Sequence, residues 1–434
     1  MDYLGRDIIA ELEKWLERRE IIAIKGPRQA GKTTILKMLK EYLIEHKKVP
    51  AANIIYMNLE DRDILDIFSK DPKEYVRSYL LTGAKEKVYF LIDEFQYLKD
   101  GGQKIKLLYD TFEGVKFIIT GSSSLEISQH TAKYLVGRMF GFHLYQFSFS
   151  EFLALKPRNL QNIYHEAHSL IISFIEKAHK IKITMREDIW QREFSRYFEE
   201  FIIWGGYPEV IKTQDLEAKR IILKNIYDTY VTKDIVELLR VKDISGFRTV
   251  VTLLANQVGN LLNYNTIASD SGSYFRQLKQ YMSMLEETFI IRLIRPYFGN
   301  KSTELKKNPK VYYVDTGLRN YVINNFNRLD MRADTGALAE NVVLFSLFQK
   351  EEWDIRYWRT LGQAEVDFVL KLNDELVPVE VKYSLFKYAE ISRSLKNFIL
   401  AYKPKRALVL TKGFWGETKV EGTKVIFVPV WYAI

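Results

Sequence analysis

The chain has no cysteine among its 434 residues. This absence excludes disulfide bonds, thiolate metal sites and a cysteine nucleophile, and it fits a reducing compartment. The sequence also has no run that approaches the roughly 18 uninterrupted apolar residues that a membrane helix requires. Its first residues, MDYLGRD, have no signal-peptide character. We therefore expect a cytoplasmic protein that does not bind or span a membrane.

Acidic residues are fewer than basic ones. Lys and Arg number 64 against 55 Asp and Glu, so the formal net charge is +9. This moderate excess favours a polyanionic partner without identifying one, because many nucleotide-binding enzymes are mildly basic too. The length and a hydrophobic content of 47% predict two to four domains of roughly 100–200 residues each.

A phosphate-binding motif follows a short apolar strand, IIAIK, and precedes an amphipathic helix. Its spacing matches G-x-x-x-x-G-K-[ST], in which glycines let backbone N–H groups surround a phosphate at a helix N-terminus. We predict that Lys32 reaches the β- and γ-phosphates of ATP, that the Thr33 hydroxyl binds Mg²⁺ and that Thr34 contacts the α-phosphate. The predicted nucleotide-binding residues are Gly26, Pro27, Arg28, Gln29, Ala30, Gly31, Lys32, Thr33 and Thr34.

A second apolar strand, VYFLI, ends in Asp93 and Glu94. We expect Asp93 to hold Mg²⁺ through the water shell of the metal, and Glu94 to act as the general base for the attacking water. Without the phosphate loop, a strand-end cap and a surface glutamate would be the simpler interpretation. With the loop present, the pair predicts hydrolysis of ATP.

Two further features are candidates for contact with the nucleotide. The strand VKFIIT ends in hydroxyls, and Thr120 or Ser122 there could sense the γ-phosphate, although a serine-rich turn is an equal alternative. Arg138 is a candidate for phosphate contact within the chain or across a subunit interface, or it is an ordinary surface arginine.

These motifs, together with FSFSEFL from Phe147, resemble the ATPase domain of a prokaryotic AAA-type family, found in archaea and bacteria and related to the signal-transduction ATPases with numerous domains. The segment FIIWGGYPEV resembles the Gly-Gly-x-Pro element of that family, which implies that Pro208 lies near the bound adenine. The similarity extends over nearly the whole chain. It implies ATP and Mg²⁺ as cofactors, and it leaves both a homo-oligomer and the identity of any arginine finger open.

The middle of the chain has a helical pattern from about 150 to 240, which predicts a helical lid. Residues 247–298 then show three helices and an apolar strand, the outline of a winged helix. A DNA reader would place its contacts at the start of the last helix, at Ser271, Ser273, Tyr274, Arg276 and Lys279. Such a domain also serves as a rigid coupler that binds no DNA.

Four charged residues near the end of the chain form the second candidate site. Glu340 lies in an apolar helix, Asp367 lies in one strand of a predicted hairpin, and Glu380-x-Lys382 lies in the other. This order resembles the PD-(D/E)-x-K nuclease core, although Val366 replaces the usual proline. The resemblance implies that Asp367, Glu380 and Glu340 bind Mg²⁺ or Mn²⁺ and that Lys382 orients the attacking hydroxide.

The simpler interpretation of Glu380 and Lys382 is an ion pair on one face of a hairpin, and such a fold often binds DNA after catalysis is lost. We therefore predict an α/β protein with four parts: a P-loop ATPase core at 1–150, a helical lid at 151–244, a winged helix at 245–309 and a restriction-endonuclease-like domain at 310–434. The predicted function is an Mg-dependent ATPase that acts on DNA, with possible cleavage. The alternative is an ATP-dependent signalling switch whose last domain only docks protein or DNA.

Overall fold

The computed structural model describes residues 3–80, 87–121, 135–157, 160–177, 188–234, 241–297, 308–349 and 353–434. These residues fall into two units. The first comprises Met1–Phe147 with Glu287–Phe289, and the second comprises Ser148–Glu286 with Ile290–Ile434. No helix in the described ranges combines the length and apolar character needed to cross a bilayer.

The first unit is built on a five-stranded parallel sheet with the order β2-β3-β4-β1-β5. β3 and β4 are buried along their whole length, as expected for central strands of a parallel sheet covered on both faces. The strands are β1 Ile21–Lys25, β2 Ile54–Asn58, β3 Val88–Asp93, β4 Val115–Gly121 and β5 Met139–His143.

Helices cover both faces of this sheet. Alternate residues of β1 point to opposite faces, so Ile21 and Ala23 enter one hydrophobic cluster while Ile22 and Ile24 enter the other. The described helices are α1 Ile8–Glu13, α2 Lys32–Glu45, α3 Arg62–Lys70, α4 Pro72–Leu80 and α5 Gly101–Thr111. The predicted P-loop type of core is thus present as a doubly covered parallel sheet.

The second unit begins with helices, in agreement with the predicted helical pattern. Side chains cap several of them: Ser148 and Glu151 form a capping box, and Asp215, Asp243 and Asn263 each accept hydrogen bonds from first-turn N–H groups. The helices are α6 Phe149–Leu153, α7 Leu160–Lys177, α8 Gln191–Trp204, α9 Pro208–Lys212, α10 Leu216–Ile226, a π-helix Tyr227–Asp234, α11 Ile244–Asn256, α12 Tyr264–Ser271 and α13 Phe275–Glu287.

A two-stranded antiparallel sheet follows these helices. It joins β6 Ile291–Ile294 to β7 Lys310–Tyr313, so two strands pair across the predicted boundary between residues 309 and 310. The other edge of β7 is bonded by a side chain: Tyr313 N donates to Asn341 Oδ1 at 2.8 Å, and Asn341 Nδ2 donates to Tyr313 O at 2.7 Å. β7 is therefore held on both edges within the second unit.

The unit ends in a six-stranded mixed sheet with the order β12-β13-β11-β10-β9-β8. The predicted succession of helix, strand, hairpin, helix and strand is present, with β10 parallel to β11. Two further strands, β12 and β13, were not predicted. The elements are α14 Thr316–Val322, α15 Thr335–Phe348, β8 Asp354–Arg359, β9 Glu365–Leu372, β10 Glu375–Lys382, α16 Arg393–Tyr402, β11 Arg406–Thr411, β12 Gly416–Val420 and β13 Thr423–Pro429.

Candidate functional sites

The phosphate loop connects β1 to α2, in the order predicted from the motif. Gly31 has φ 98° and Gln29 has φ 60°, so the loop turns through two left-handed residues before the helix begins at Lys32. Gly26 lies against the chain that follows β5, where an added Cβ would lie 1.9 Å from Leu144 O. Only glycine therefore fits at position 26 without moving one of the two segments.

The Lys32 side chain is buried and folded back into the loop. Its Nζ donates to Gly26 O at 3.0 Å and to Pro27 O at 2.9 Å. Burial lowers the pKa of Lys32 to about 8, although the nearby carboxylates of Glu94 and Asp93 oppose that shift. The ammonium is thus held at the loop by two backbone carbonyls, in a position from which it can turn toward a phosphate.

Asp93 is the centre of a hydrogen-bond network at the carboxyl edge of the sheet. Thr33 Oγ1 donates to Asp93 Oδ2 at 2.6 Å, and Tyr56 OH donates to the same oxygen at 3.1 Å. The Thr120 hydroxyl donates to Asp93 Oδ1. Thr33 Oγ1 and Asp93 Oδ2 lie side by side, and both are hard oxygen atoms of the kind that Mg²⁺ binds. Mg²⁺ needs few protein ligands when phosphate oxygens and waters complete its coordination shell, so these two residues fit the ion.

Glu94 follows Asp93 in a left-handed conformation with φ 53°. Its backbone N–H donates to Asp93 Oδ1 at 3.1 Å and to Thr120 Oγ1 at 3.3 Å. Its side chain accepts a hydrogen bond from Gln96 Nε2. A left-handed non-glycine residue is uncommon and is found at functional sites. The strand end thus presents a second carboxylate beside the one that faces Thr33.

Some residues at this site were not predicted from the sequence. Arg6 Nη1 donates to Ala30 O at 2.8 Å and Arg6 Nη2 donates to Tyr145 O at 2.8 Å, so one guanidinium connects the phosphate loop to the chain after β5. Tyr97, also not predicted, accepts a hydrogen bond through its OH from Nη2 of the predicted residue Arg28 at 3.1 Å. Neither Arg6 nor Tyr56 belongs to a local motif, and no spacing pattern marks them.

The structure does not place the three remaining predicted nucleotide contacts at the phosphate loop. Arg138 precedes β5, and its carbonyl accepts from Ile21 N at 2.8 Å at the amino edge of the sheet, the edge opposite the phosphate loop. Its side chain pairs with Asp110 at 3.0 Å, so the structure does not bring it to the loop of its own chain. A contact across a subunit interface stays a prediction. Ser122 lies outside the described residues. Pro208 begins α9 in the second unit, and its predicted contact with adenine stays a prediction.

The predicted DNA-contact residues of the second unit differ in exposure. Ser271 and Ser273 are buried, whereas Tyr274 is 83% exposed. Arg276 and Lys279 are also exposed on α13. The two serines are therefore not available to a ligand, while the aromatic and the two basic side chains are.

The second candidate site lies where β9, β10 and α15 meet. Asp367 and Glu380 are buried, and Asp367 Oδ2 accepts a hydrogen bond from Val381 N at 2.7 Å. Lys382 Nζ lies 3.3 Å from Glu380 Oε1. The pKa of Lys382 is raised by Glu380, Asp367 and Glu340, although burial opposes the shift. The structure therefore brings together the four residues that the sequence singled out.

A buried lysine that was not predicted also belongs to this cluster. The Lys310 side chain is 2% exposed; its ammonium pairs with Glu365 Oε1 and lies 3.8 Å from Glu340 Oε2. Glu340 also accepts from Tyr312 OH at 3.3 Å. Burial, with Asp367 next in size, raises the pKa of Glu340 to about 8. Burial likewise raises the pKa of Asp367 and of Glu380.

These contacts do not fit the predicted Mg²⁺ or Mn²⁺ site. Within the described ranges, no group of three or more Asp, Glu, His or Cys side chains is arranged so that it could hold a metal ion. Glu340 faces the ammonium of Lys310, and Glu380 Oε1 faces that of Lys382. One feature does favour a bound ligand: Glu380 Oε2 is buried and has no hydrogen bond in the part of the chain described.

Comparison with known families assigns the first unit to a class. Residues 18–153 match the model of a family described as an AAA domain. Residues 195–329 and 335–431 match two families described as domains of unknown function, DUF8612 and DUF4143. With the parallel sheet and the loop geometry, the first match defines an AAA-type P-loop ATPase domain. The DUF4143 match neither names an activity nor confirms the restriction-endonuclease-like domain, and the winged helix stays a prediction too.

Curated relatives extend over most of the chain. An uncharacterized protein of Haemophilus influenzae is 27% identical over 421 residues, which cover 95% of this chain and 94% of that one. An uncharacterized protein of Methanocaldococcus jannaschii is 26% identical over 377 residues, which cover 85% and 76% of the two chains. The sequence similarity thus extends over most of each chain.

Among solved structures, the ADP form of the ORC2 protein of Aeropyrum pernix matches with a TM-score of 0.34 and 13% identity, covering 75% of this chain and 94% of that one. Domain III of the replication initiation protein DnaA of Thermotoga maritima matches with a TM-score of 0.28 and 14% identity, covering 52% and 94%. TM-scores this low do not establish a shared fold. The class therefore rests on the sheet, the loop and the family match.

Proposed function

We propose that the first unit hydrolyses ATP in an Mg²⁺-dependent reaction. The observation that carries this proposal is the convergence of Lys32, Thr33, Asp93 and Glu94 at the carboxyl edge of one parallel sheet. In open parallel sheets this edge is where ligands bind. The loop N–H groups and the first turn of α2 supply a positive end for the phosphates.

Each of the four residues has a distinct role. The Lys32 ammonium exchanges its loop carbonyls for oxygens of the β- and γ-phosphates. Thr33 and Asp93 would hold Mg²⁺, which would supply positive charge to neutralise the phosphates. Glu94 accepts a proton from the water that attacks the γ-phosphorus, and the bond from that phosphorus to the bridging oxygen breaks to leave ADP. The network around Asp93 keeps its carboxylate oriented before the nucleotide arrives.

We further propose that the second unit binds DNA and that the nucleotide state of the first unit changes this binding. The support is the net charge of +9 and the exposed Tyr274, Arg276 and Lys279 at the start of α13. Metal-dependent cleavage is not part of this proposal, because the carboxylate cluster does not fit a divalent metal. The rival function is a signalling switch whose second unit docks a protein.

The ATPase proposal is tested by steady-state ATP hydrolysis of the wild type, Lys32→Ala and Lys37→Ala. Lys37 lies exposed on the same helix and is the matched control. Loss of turnover in Lys32→Ala with wild-type turnover in Lys37→Ala is the expected result. Wild-type turnover in Lys32→Ala would mean that the phosphate loop is not the hydrolytic site.

The DNA proposal is tested by binding of labelled duplex, forked, junction and single-stranded DNA at several salt concentrations, with ATP and without nucleotide. We expect an affinity that falls with salt, because phosphate contacts release counterions, and that is weaker in Arg276→Ala and Lys279→Ala. No binding to any of these DNAs at low salt would refute the DNA proposal and favour the signalling switch. The ATPase measurement is independent of that outcome.

A further inference from the structure

The buried ammonium of Lys310 is the feature of the second unit that the proposed function does not use. We propose that Lys310 is the resident cation of the acidic cluster, and that by pairing with Glu365 and lying against Glu340 it keeps this cluster from taking up a divalent metal ion. This inference goes beyond the proposed function and does not depend on ATP hydrolysis.

The position of Lys310 is fixed by backbone structure. It is the first residue of β7, where it pairs in register with Ile294 of β6. Its side chain is 2% exposed, and its Nζ lies 5.7 Å from the centre of the Tyr357 ring. A lysine that extends from a paired strand into a protein interior cannot withdraw to solvent without moving that strand. The ammonium is therefore a permanent part of the cluster.

Surrounding carboxylates keep this ammonium charged. Burial disfavours a charged lysine, but the ion pair with Glu365 and the nearby Glu340 offset that cost. Charged groups in an interior are stable only when they are paired and hydrogen-bonded. The direct ion pair of Lys310 with Glu365 Oε1 satisfies this requirement from one side, and Glu340 Oε2 at 3.8 Å contributes from the other.

Two of the acids have a further cationic partner. Arg359 Nη1 donates to Glu365 Oε2 at 2.7 Å, and Lys382 Nζ lies 3.3 Å from Glu380 Oε1. The cluster thus holds four acidic side chains, on Glu340, Glu365, Asp367 and Glu380, and three cationic side chains, on Lys310, Lys382 and Arg359. A divalent ion would enter a site in which three of the acids already have cationic partners.

Coordination geometry also disfavours a divalent ion at the cluster. Mg²⁺ requires oxygens at about 2.0–2.1 Å in near-ideal octahedral positions. To supply them, Glu340 would have to leave the vicinity of Lys310, and the buried ammonium would keep only Glu365 as a partner. Removing Lys310 reverses the situation, because the acids then lack their principal counter-ion and attract a divalent cation. Glu380 Oε2, which has no hydrogen bond in the described ranges, would be a ligand in that case.

The test measures Mn²⁺ binding without nucleotide, from the loss of the free-ion electron paramagnetic resonance signal. Asp93→Asn serves as the background, since it removes the predicted metal ligand of the ATPase site. In this background we expect the further change Asp367→Asn to have no effect on bound Mn²⁺. We expect Lys310→Met to gain one bound Mn²⁺ per chain, and Asp367→Asn to abolish that gain. Lys310→Arg, which keeps the charge, should gain none.

Two results would overturn the proposal. One is Mn²⁺ bound by the Asp93→Asn protein and lost on Asp367→Asn, which would mean that the cluster takes a metal with Lys310 in place. The other is a folded Lys310→Met protein with no gain, with folding judged by circular dichroism. If Lys310→Met does not fold, the first comparison still decides the question, because it uses no change at position 310.

Discussion

Asp315 gives a prediction that links a buried carboxylate to the stability of the second unit. Its side chain caps α14, with Oδ1 accepting from Leu318 N at 2.8 Å, and reaches the Gly205-Gly206 segment, where Oδ2 accepts from Gly206 N at 2.7 Å. Asp315 is 4% exposed. Burial raises its pKa from 3.8 to about 6, although the backbone N–H groups oppose the shift. We expect stability to fall as the pH rises through this range.

The direction of this pH dependence follows from proton binding. Between about pH 4 and 6 the folded protein keeps a proton on Asp315 that the unfolded chain releases, so the free energy of unfolding decreases as the pH rises. A shift of about two pKa units corresponds to about 3 kcal/mol. Replacement by Asn removes the titration but keeps the shape. The free energy that the Asn variant loses with the hydrogen bonds of the carboxyl group does not depend on pH.

The measurement compares urea unfolding of the wild type and Asp315→Asn at several pH values from 4 to 8. Six of the seven tryptophans lie in the second unit, so their fluorescence reports mainly on its transition. The free energy of unfolding of the wild type minus that of the variant should decrease by about 2–3 kcal/mol from the lowest to the highest pH. Other titrating groups contribute equally to both proteins, so their contributions cancel in this difference. A difference that is independent of pH, or that grows with pH, would refute the reasoning.

Three further predictions concern the ATPase unit. Glu94→Gln should retain ATP while single-turnover hydrolysis slows by about 10²–10⁴-fold; loss of ATP binding would instead mean a structural role. Gly26→Ala should abolish binding of a fluorescent ATP analogue, because the new Cβ would lie 1.9 Å from Leu144 O, and Gly141→Ala, with no heavy atom within 4 Å of its Cβ, should bind normally. Arg138→Ala should leave turnover of the dilute protein unchanged; a decrease there would place Arg138 at the site of its own chain.

The ATPase site could be predicted because its residues are close together in the sequence. Gly26 to Thr34 form one continuous loop and helix start, and Asp93 and Glu94 end one apolar strand. Spacing alone therefore indicates the chemistry. Arg6 could not be found in this way, because its acceptor on Tyr145 is 139 residues away. No local pattern records such a contact.

The cluster of the second unit could be predicted only in part, for the same reason. Glu380 and Lys382 share a face because they are two residues apart on a strand, and Asp367 lies on the neighbouring strand. Lys310 reaches Glu340 and Glu365 only after the chain has folded, so the sequence does not mark it as a partner. After its first residue, the edge strand β12 alternates between exposed and half-buried residues. This pattern is too polar to be distinguished from a loop.

The pairing of β6 with β7 has a practical consequence for dissecting the protein into fragments. A fragment that ends at residue 309 would leave β6 with an unpaired edge, and one that begins at residue 310 would expose the matching edge of β7. Open strand edges promote aggregation. A cut between the predicted winged helix and the last domain should therefore give insoluble material. Because Asn341 bonds the other edge of β7, a cut after α14 would open that edge as well, and the second unit should be expressed whole.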